Sequence, residues 1–91
     1  MKLVVAIVQE RHAGRAIDSL VEGGFGATRI NTAGGFLKRG NATILTGVED
    51  AQTETVLHIL RDSCNTPEIT TEGVRSTGIV FVLPVLASMK I

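Results

Sequence analysis

The chain has very little of what marks several large functional classes. It contains no tryptophan and no tyrosine, and its three aromatic residues are all phenylalanine. The core of these 91 residues must therefore be built from valine, isoleucine, leucine and alanine. A single cysteine, Cys64, excludes an internal disulfide and fits a reducing compartment. Nine basic and nine acidic residues cancel, which argues against a general binder of nucleic-acid polymers, since that role needs a basic surface. No apolar run approaches the roughly 18–20 residues of a membrane span. The opening Met1-Lys2-Leu3-Val4-Val5-Ala6-Ile7-Val8 comes nearest to a signal peptide, but it is short, lacks a convincing cleavage site and runs into Gln9-Glu10-Arg11-His12. It reads as a buried strand. One cytoplasmic domain over residues 1–91 is expected, of a size that often gains stability by oligomerising.

What is present is periodicity. Leu3 to Val8 is continuous and rich in β-branched residues, the pattern of a central strand. From Arg11 to Glu22 the period becomes helical, with Ala13, Ala16, Ile17, Leu20 and Val21 on one face. Gly23-Gly24 ends that helix, and Phe25 folds back on it. Gly26 to Ala33 alternates as a second strand, with Thr28, Ile30 and Thr32 on one side. Asn41 to Val48 is a third, with Ala42, Ile44, Thr46 and Val48 sharing a face. Asp50 is positioned to cap a second helix whose apolar stripe is Val56, Leu57, Leu60 and Cys64, with Ile59 at the margin. Asn65-Thr66-Pro67 stops it. Glu68 to Val74 is weakly strand-like and can form an extra short strand, Arg75 to Gly78 is a turn or bulge, and Ile79 to Val85 closes the domain as a strand. Pro84, which lacks a ladder donor, marks a sheet edge or strand end.

The order β-α-β-β-α-β predicts an α+β, ferredoxin-like sandwich: an antiparallel sheet with two helices on one face. The first and last strands carry apolar residues on both alternating sets. The face without helices is therefore expected to be buried in an oligomer.

Signals for catalysis are weak. His12 and His58 are isolated and lack metal-ligand spacing, so both are expected at surface or boundary positions. Cys64 lies on an apolar stripe and reads as an inert thiol. Glu49-Asp50 is explained by helix capping more simply than by acid–base work. Gly24-Phe25-Gly26 lacks the third glycine of a dinucleotide fingerprint and leads into a strand. Asn41-Ala42-Thr43 is a glycosylation sequon only in form. No catalytic residue, metal or cofactor is expected.

The most informative stretch is Thr32-Ala33-Gly34-Gly35-Phe36-Leu37-Lys38-Arg39-Gly40-Asn41, between the second and third strands. Phe36 and Leu37 stand where a turn should be polar, so a second subunit or a flat ligand such as a nucleobase is expected to cover them. No acid occurs between Glu22 and Glu49, whereas Arg29, Lys38 and Arg39 supply cations. With the loop amides these can form an anion-binding concavity, Lys38 and Arg39 meeting phosphate. Thr28, Asn31, Thr32, Asn41 and Thr43 add groups able to read a base edge. A solvated hairpin whose cations aid solubility is an equal reading of the same residues.

That stretch, together with Met1 to Gln9, Thr43, Gly47-Val48-Glu49-Asp50 and Val80-Phe81-Val82-Leu83-Pro84-Val85, resembles the PII-like cyclic-di-AMP receptor proteins. These are bacterial cytosolic relatives of the nitrogen-regulatory PII signal proteins. The resemblance implies a homotrimer that binds ligand in clefts between subunits, with Thr28, Gly35, Phe36, Leu37, Asn41 and Gly47 as ligand contacts. Phe36 and Leu37 would cover a purine and Asn41 would pair with an adenine edge, while Gly35 and Gly47 would allow close approach of backbone.

Four departures stand out. Gly26 occupies the place of a family arginine, and Arg29 is no simple substitute because alternation sends it to the face opposite Thr28. Ser76-Thr77 replaces a glycine pair, and Ala87 stands where the family has a ligand-contacting glutamine. The segment from Asn65 to Gly78 replaces a long insertion. The leading expectation is a non-enzymatic signal protein that binds cyclic-di-AMP or another adenine nucleotide. The alternative is a protein-interaction module of the same fold with a degenerate cleft and an unknown protein target. A third, an acyl-phosphate hydrolase, has only a faint echo in Gln9 to Arg15, and fold alone does not warrant an activity.

Overall fold

The apolar run near the start of the chain forms the strand at the centre of the molecule. The computed structural model describes residues 1–30, 40–64 and 78–91, and residues 68–70 and 73–75 by their backbone. The elements are β1 (Lys2–Gln9), α1 (Glu10–Glu22), β2 (Thr28–Ile30), β3 (Asn41–Val48), a 3-10 turn (Asp50–Gln52), α2 (Thr53–Ser63), β4 (Glu68–Thr70), β5 (Gly73–Arg75) and β6 (Gly78–Pro84). The main sheet runs β2-β3-β1-β6 and all its pairings are antiparallel. This is the α+β architecture that the order of elements predicts.

Register separates the two faces. Val4, Ala6 and Val8 oppose Thr46, Ile44 and Ala42, and all six are buried against Ala13, Ala16 and Leu20 of α1 and Val56 and Leu60 of α2. Leu20, Ile44, Val4 and Val56 are fully buried, and each contributes on the order of 1.5–3 kcal/mol by leaving water. The other set, Leu3, Val5 and Ile7 opposite Gly47, Leu45 and Thr43, lies on the face without helices. On β6, Ile79, Phe81 and Leu83 continue that open face and remain 47–52% exposed.

The helix ends follow from local chemistry. The Gly24 N–H donates to the Val21 carbonyl at 3.0 Å and the Phe25 N–H to the Leu20 carbonyl at 2.9 Å, the paired bonds of a Schellman motif. Gly24 has φ of 89°, a conformation that would cost a residue with a Cβ about 1–2 kcal/mol. Phe25 packs against the core as the accompanying contact.

Several details differ from the expectations. Val21 is 58% exposed, because it lies about 100° round the helix from Leu20 and outside the sheet-facing stripe. His12 is buried, since it lies only about 40° from Ala16 on that stripe. Asp50 is not a helix cap: it opens the 3-10 turn after Glu49, with no side-chain cap bond. Its carboxylate instead meets the Met1 ammonium at 2.8 Å, because the start of β1 lies beside the end of β3 (Lys2 opposite Val48). The second strand is described only over Thr28–Ile30, and Gly26 and Ala27 precede it without ladder pairing. Glu68 to Val74 is not one strand, as β4 and β5 form a separate two-stranded sheet. Pro84 stands at the end of the edge strand β6, as its missing donor requires. Asn31 to Ala33 and Asn65 to Pro67 lie outside the described residues.

Candidate functional site

Strand alternation puts Thr28, Asn41 and Gly47 on the open face. Thr28 opposes Leu45, so Gly47, two residues further along β3, is its diagonal neighbour on that face, about 7–8 Å away in an antiparallel ladder. Asn41 is six residues from Gly47, opposite Gln9 at the other end of the sheet, or about 20 Å along the strand. Thr28 and Gly47 are thus brought together, and Asn41 is set apart from them. All three are exposed. Beyond Gly47 and its chain neighbours, no described residue lies within 4 Å of where a Cβ on Gly47 would stand. Gly35, Phe36, Leu37, Lys38 and Arg39 lie outside the described residues, as do Ser76 and Thr77.

The strand that carries Thr28 is pinned from both sides. Before it, the Thr46 hydroxyl donates to the Gly26 carbonyl at 2.5 Å. Within it, Arg29 opposes Ile44 and therefore projects toward the helices. Its Nη2 donates to Glu10 Oε1 at 2.9 Å. Arg29 thus faces away from Thr28, as alternation predicts, and is ion-paired with Glu10, while the expected cluster with Lys38 and Arg39 lies outside the described residues. At Gly26, where the resemblance places an arginine, no described residue beyond its chain neighbours lies within 4 Å of where a Cβ would stand.

One polar group acquires its meaning only from the structure. Thr43 opposes Ile7 on one side and Ile30 on the other. It is 7% exposed, and its hydroxyl has no hydrogen-bond partner among the described residues. Sequence alternation places Thr43 on the same face as Asn41; its burial and missing partner have no sequence signal. The pairing of Glu10 with Arg29, 19 residues apart, has none either.

Elsewhere the titratable groups read as structural. Partial desolvation, with help from Arg11 and Arg15, lowers the His12 pKa below its ordinary 6.5. Burial raises the Cys64 thiol, which fits an inert role. A hydrogen bond from the amino terminus and its charge lower Asp50. His58 is exposed and lies 3.3 Å from Asp62 on the outer side of α2. A shallow depression there is lined by Glu54, Leu57, His58 and Arg61. Among the described residues no three of His, Cys, Asp and Glu are grouped to hold a metal. No described helix is long and apolar enough to cross a membrane.

A family model described as "Cyclic-di-AMP receptor" matches residues 1–79, from β1 into β6. The chain belongs to the cyclic-di-AMP receptor family. This family is PII-like, in keeping with the resemblance seen in the glycine-rich stretch. Among solved structures, the chain is similar to a functionally unknown protein from Pediococcus pentosaceus ATCC 25745. The two are 33% identical with a TM-score of 0.80, over 99% of this chain and 96% of the other. Membership of a receptor family supports nucleotide binding rather than turnover.

Proposed function

We propose that the protein is a cytoplasmic signal protein that binds cyclic-di-AMP, or another adenine nucleotide, in clefts between the subunits of a homotrimer. The observation that carries this reading is the open sheet face of a cyclic-di-AMP receptor family member: Thr28, Asn41 and Gly47 are exposed there, beside the apolar row on β1 and β6. An apolar face of this extent on a small domain favours a covering partner, and a second subunit would bury it. Thr28 and Gly47 at one end of the face and Asn41 at the other are suited to contacts completed from a neighbouring chain. Gly35, Phe36 and Leu37 would cover the base, Lys38 and Arg39 would meet phosphate, and no bond need be made or broken.

Calorimetry against cyclic-di-AMP, cyclic-di-GMP, ATP, ADP and AMP tests the ligand, and light scattering tests for a particle of three 9.6 kDa chains. Heat with an adenine nucleotide at micromolar protein is expected. No heat with any of the five would sink the nucleotide reading. A protein partner whose capture is unaffected by Phe36→Ala and Asn41→Ala would instead favour an interaction module with a degenerate cleft.

A further inference from the structure

Glu10 bonds to a residue before the glycine-rich stretch and to one near its end. Its backbone N–H donates to the Gly40 carbonyl at 2.8 Å, while its carboxylate accepts from Arg29 at 2.9 Å. Each anchor is the chain neighbour of a residue on the open face: Arg29 follows Thr28, and Gly40 precedes Asn41. Glu10 is the first residue of α1 and follows Gln9, which opposes Asn41. One residue therefore links the end of the central strand, the start of β3 and the edge strand β2.

β2 needs such an anchor. It is an edge strand, paired over Thr28–Ile30 among the described residues, and an edge strand is held by a ladder on one side only. Holding Arg29 on the helix side stops the strand from rolling about its axis, and alternation then turns Thr28 outward. The negative carboxylate is also favoured at the amino-terminal end of α1. It is therefore held at a fixed element while the less constrained strand is drawn to it.

We propose that Glu10 is a positioning residue for nucleotide binding, holding Thr28 and Asn41 in one spatial relation through Arg29 and Gly40. This role rests on the nucleotide reading of the open face. Glu10 itself lies at the junction of β1 and α1, and it acts through its two partners. The side-chain arm is an ion pair with Glu10 60% and Arg29 35% exposed, so its removal should be felt locally and moderately.

The test uses the whole protein with two independent readouts. Trypsin cleavage after Lys38 and Arg39 reports how firmly the flanking residues are held, with or without ligand. Calorimetry with cyclic-di-AMP reports the effect on binding. Glu10→Ala is expected to speed cleavage and weaken binding about two- to fivefold each, the range of an exposed pair, with the melting temperature nearly unchanged. The exchanged pair Glu10→Arg with Arg29→Glu should recover most of both, and 1 M salt should shrink the difference between Glu10→Ala and the native protein. Should Glu10→Ala fold poorly, Arg29→Gln removes the same arm from the other side. Native cleavage rates and native affinity in the folded variant would overturn the role. If the native protein binds no nucleotide, the functional reading fails, while the cleavage readout still decides whether Glu10 restrains the two stems.

Discussion

Thr43 stands directly opposite Ile7 on the open sheet face, its hydroxyl buried and without a partner among the described residues. A hydroxyl so placed costs folding free energy unless a group beyond the described residues bonds to it. Thr43→Val keeps the shape and removes the hydroxyl. In the isolated chain the substitution should raise stability by about 1 kcal/mol, seen as a higher urea midpoint. A lower midpoint would show that the hydroxyl is satisfied by a group beyond the described residues, and its dependence on protein concentration would tell whether that group belongs to another subunit.

Gly47 separates folding from binding. Nothing in the described chain occupies the position of its missing Cβ, and its φ is not positive. Gly47→Ala should leave stability unchanged or raise it by up to about 1 kcal/mol, since alanine loses less backbone freedom on folding. The same methyl would stand where the proposed nucleotide approaches backbone, so affinity should fall at least tenfold. A variant with native affinity would remove Gly47 from the ligand site.

Gly26 offers the converse experiment. Among the described residues its surroundings are open, and Thr46 holds its carbonyl rather than a side chain. Gly26→Arg should fold normally and place a cation beside Thr28. If a phosphate lies near Thr28, calorimetry should show affinity rising several-fold at low salt and less at high salt. Unchanged affinity at low salt would place the phosphate elsewhere.

His12 predicts acid sensitivity. Its folded pKa lies below the 6.5 of the unfolded chain, so between those two values the unfolded state binds more protons and stability rises with pH. The contribution is complete above pH 6.5 and is lost as the pH falls toward the folded pKa. Melting temperatures at pH 7.5 and 5.5 should show a larger drop for the native protein than for His12→Gln. Equal drops would assign the acid sensitivity to other groups.

Much of the molecule was legible from residue order. Periods of two and 3.6 located β1, α1, β3 and α2, and alternation put Asn41 and Gly47 on one face of β3 and Thr28 on the face of β2 opposite Arg29. The register of the two strands joined those faces. Period and alternation depend on neighbours within a few positions, which local sterics and the division between apolar and polar residues dictate. The apolar open face followed from the double-sided pattern of the first and last strands.

Tertiary structure decided what depends on residues far apart in the chain. Burial of His12 and exposure of Val21 follow from where the sheet lies beneath α1. Asp50 meets the amino terminus because β1 and β3 pair in one particular register. The segment after α2 folds on itself as β4 and β5, a choice between local and long-range pairing that a weak β pattern does not make. Ladder pairing sets Thr28 beside Gly47 and separates both from Asn41, while packing of α1 against the sheet brings Glu10 to Arg29. The physical reason is common to all of these: local propensities specify elements and faces, but distances across a sheet come into being only when strands pair and helices pack.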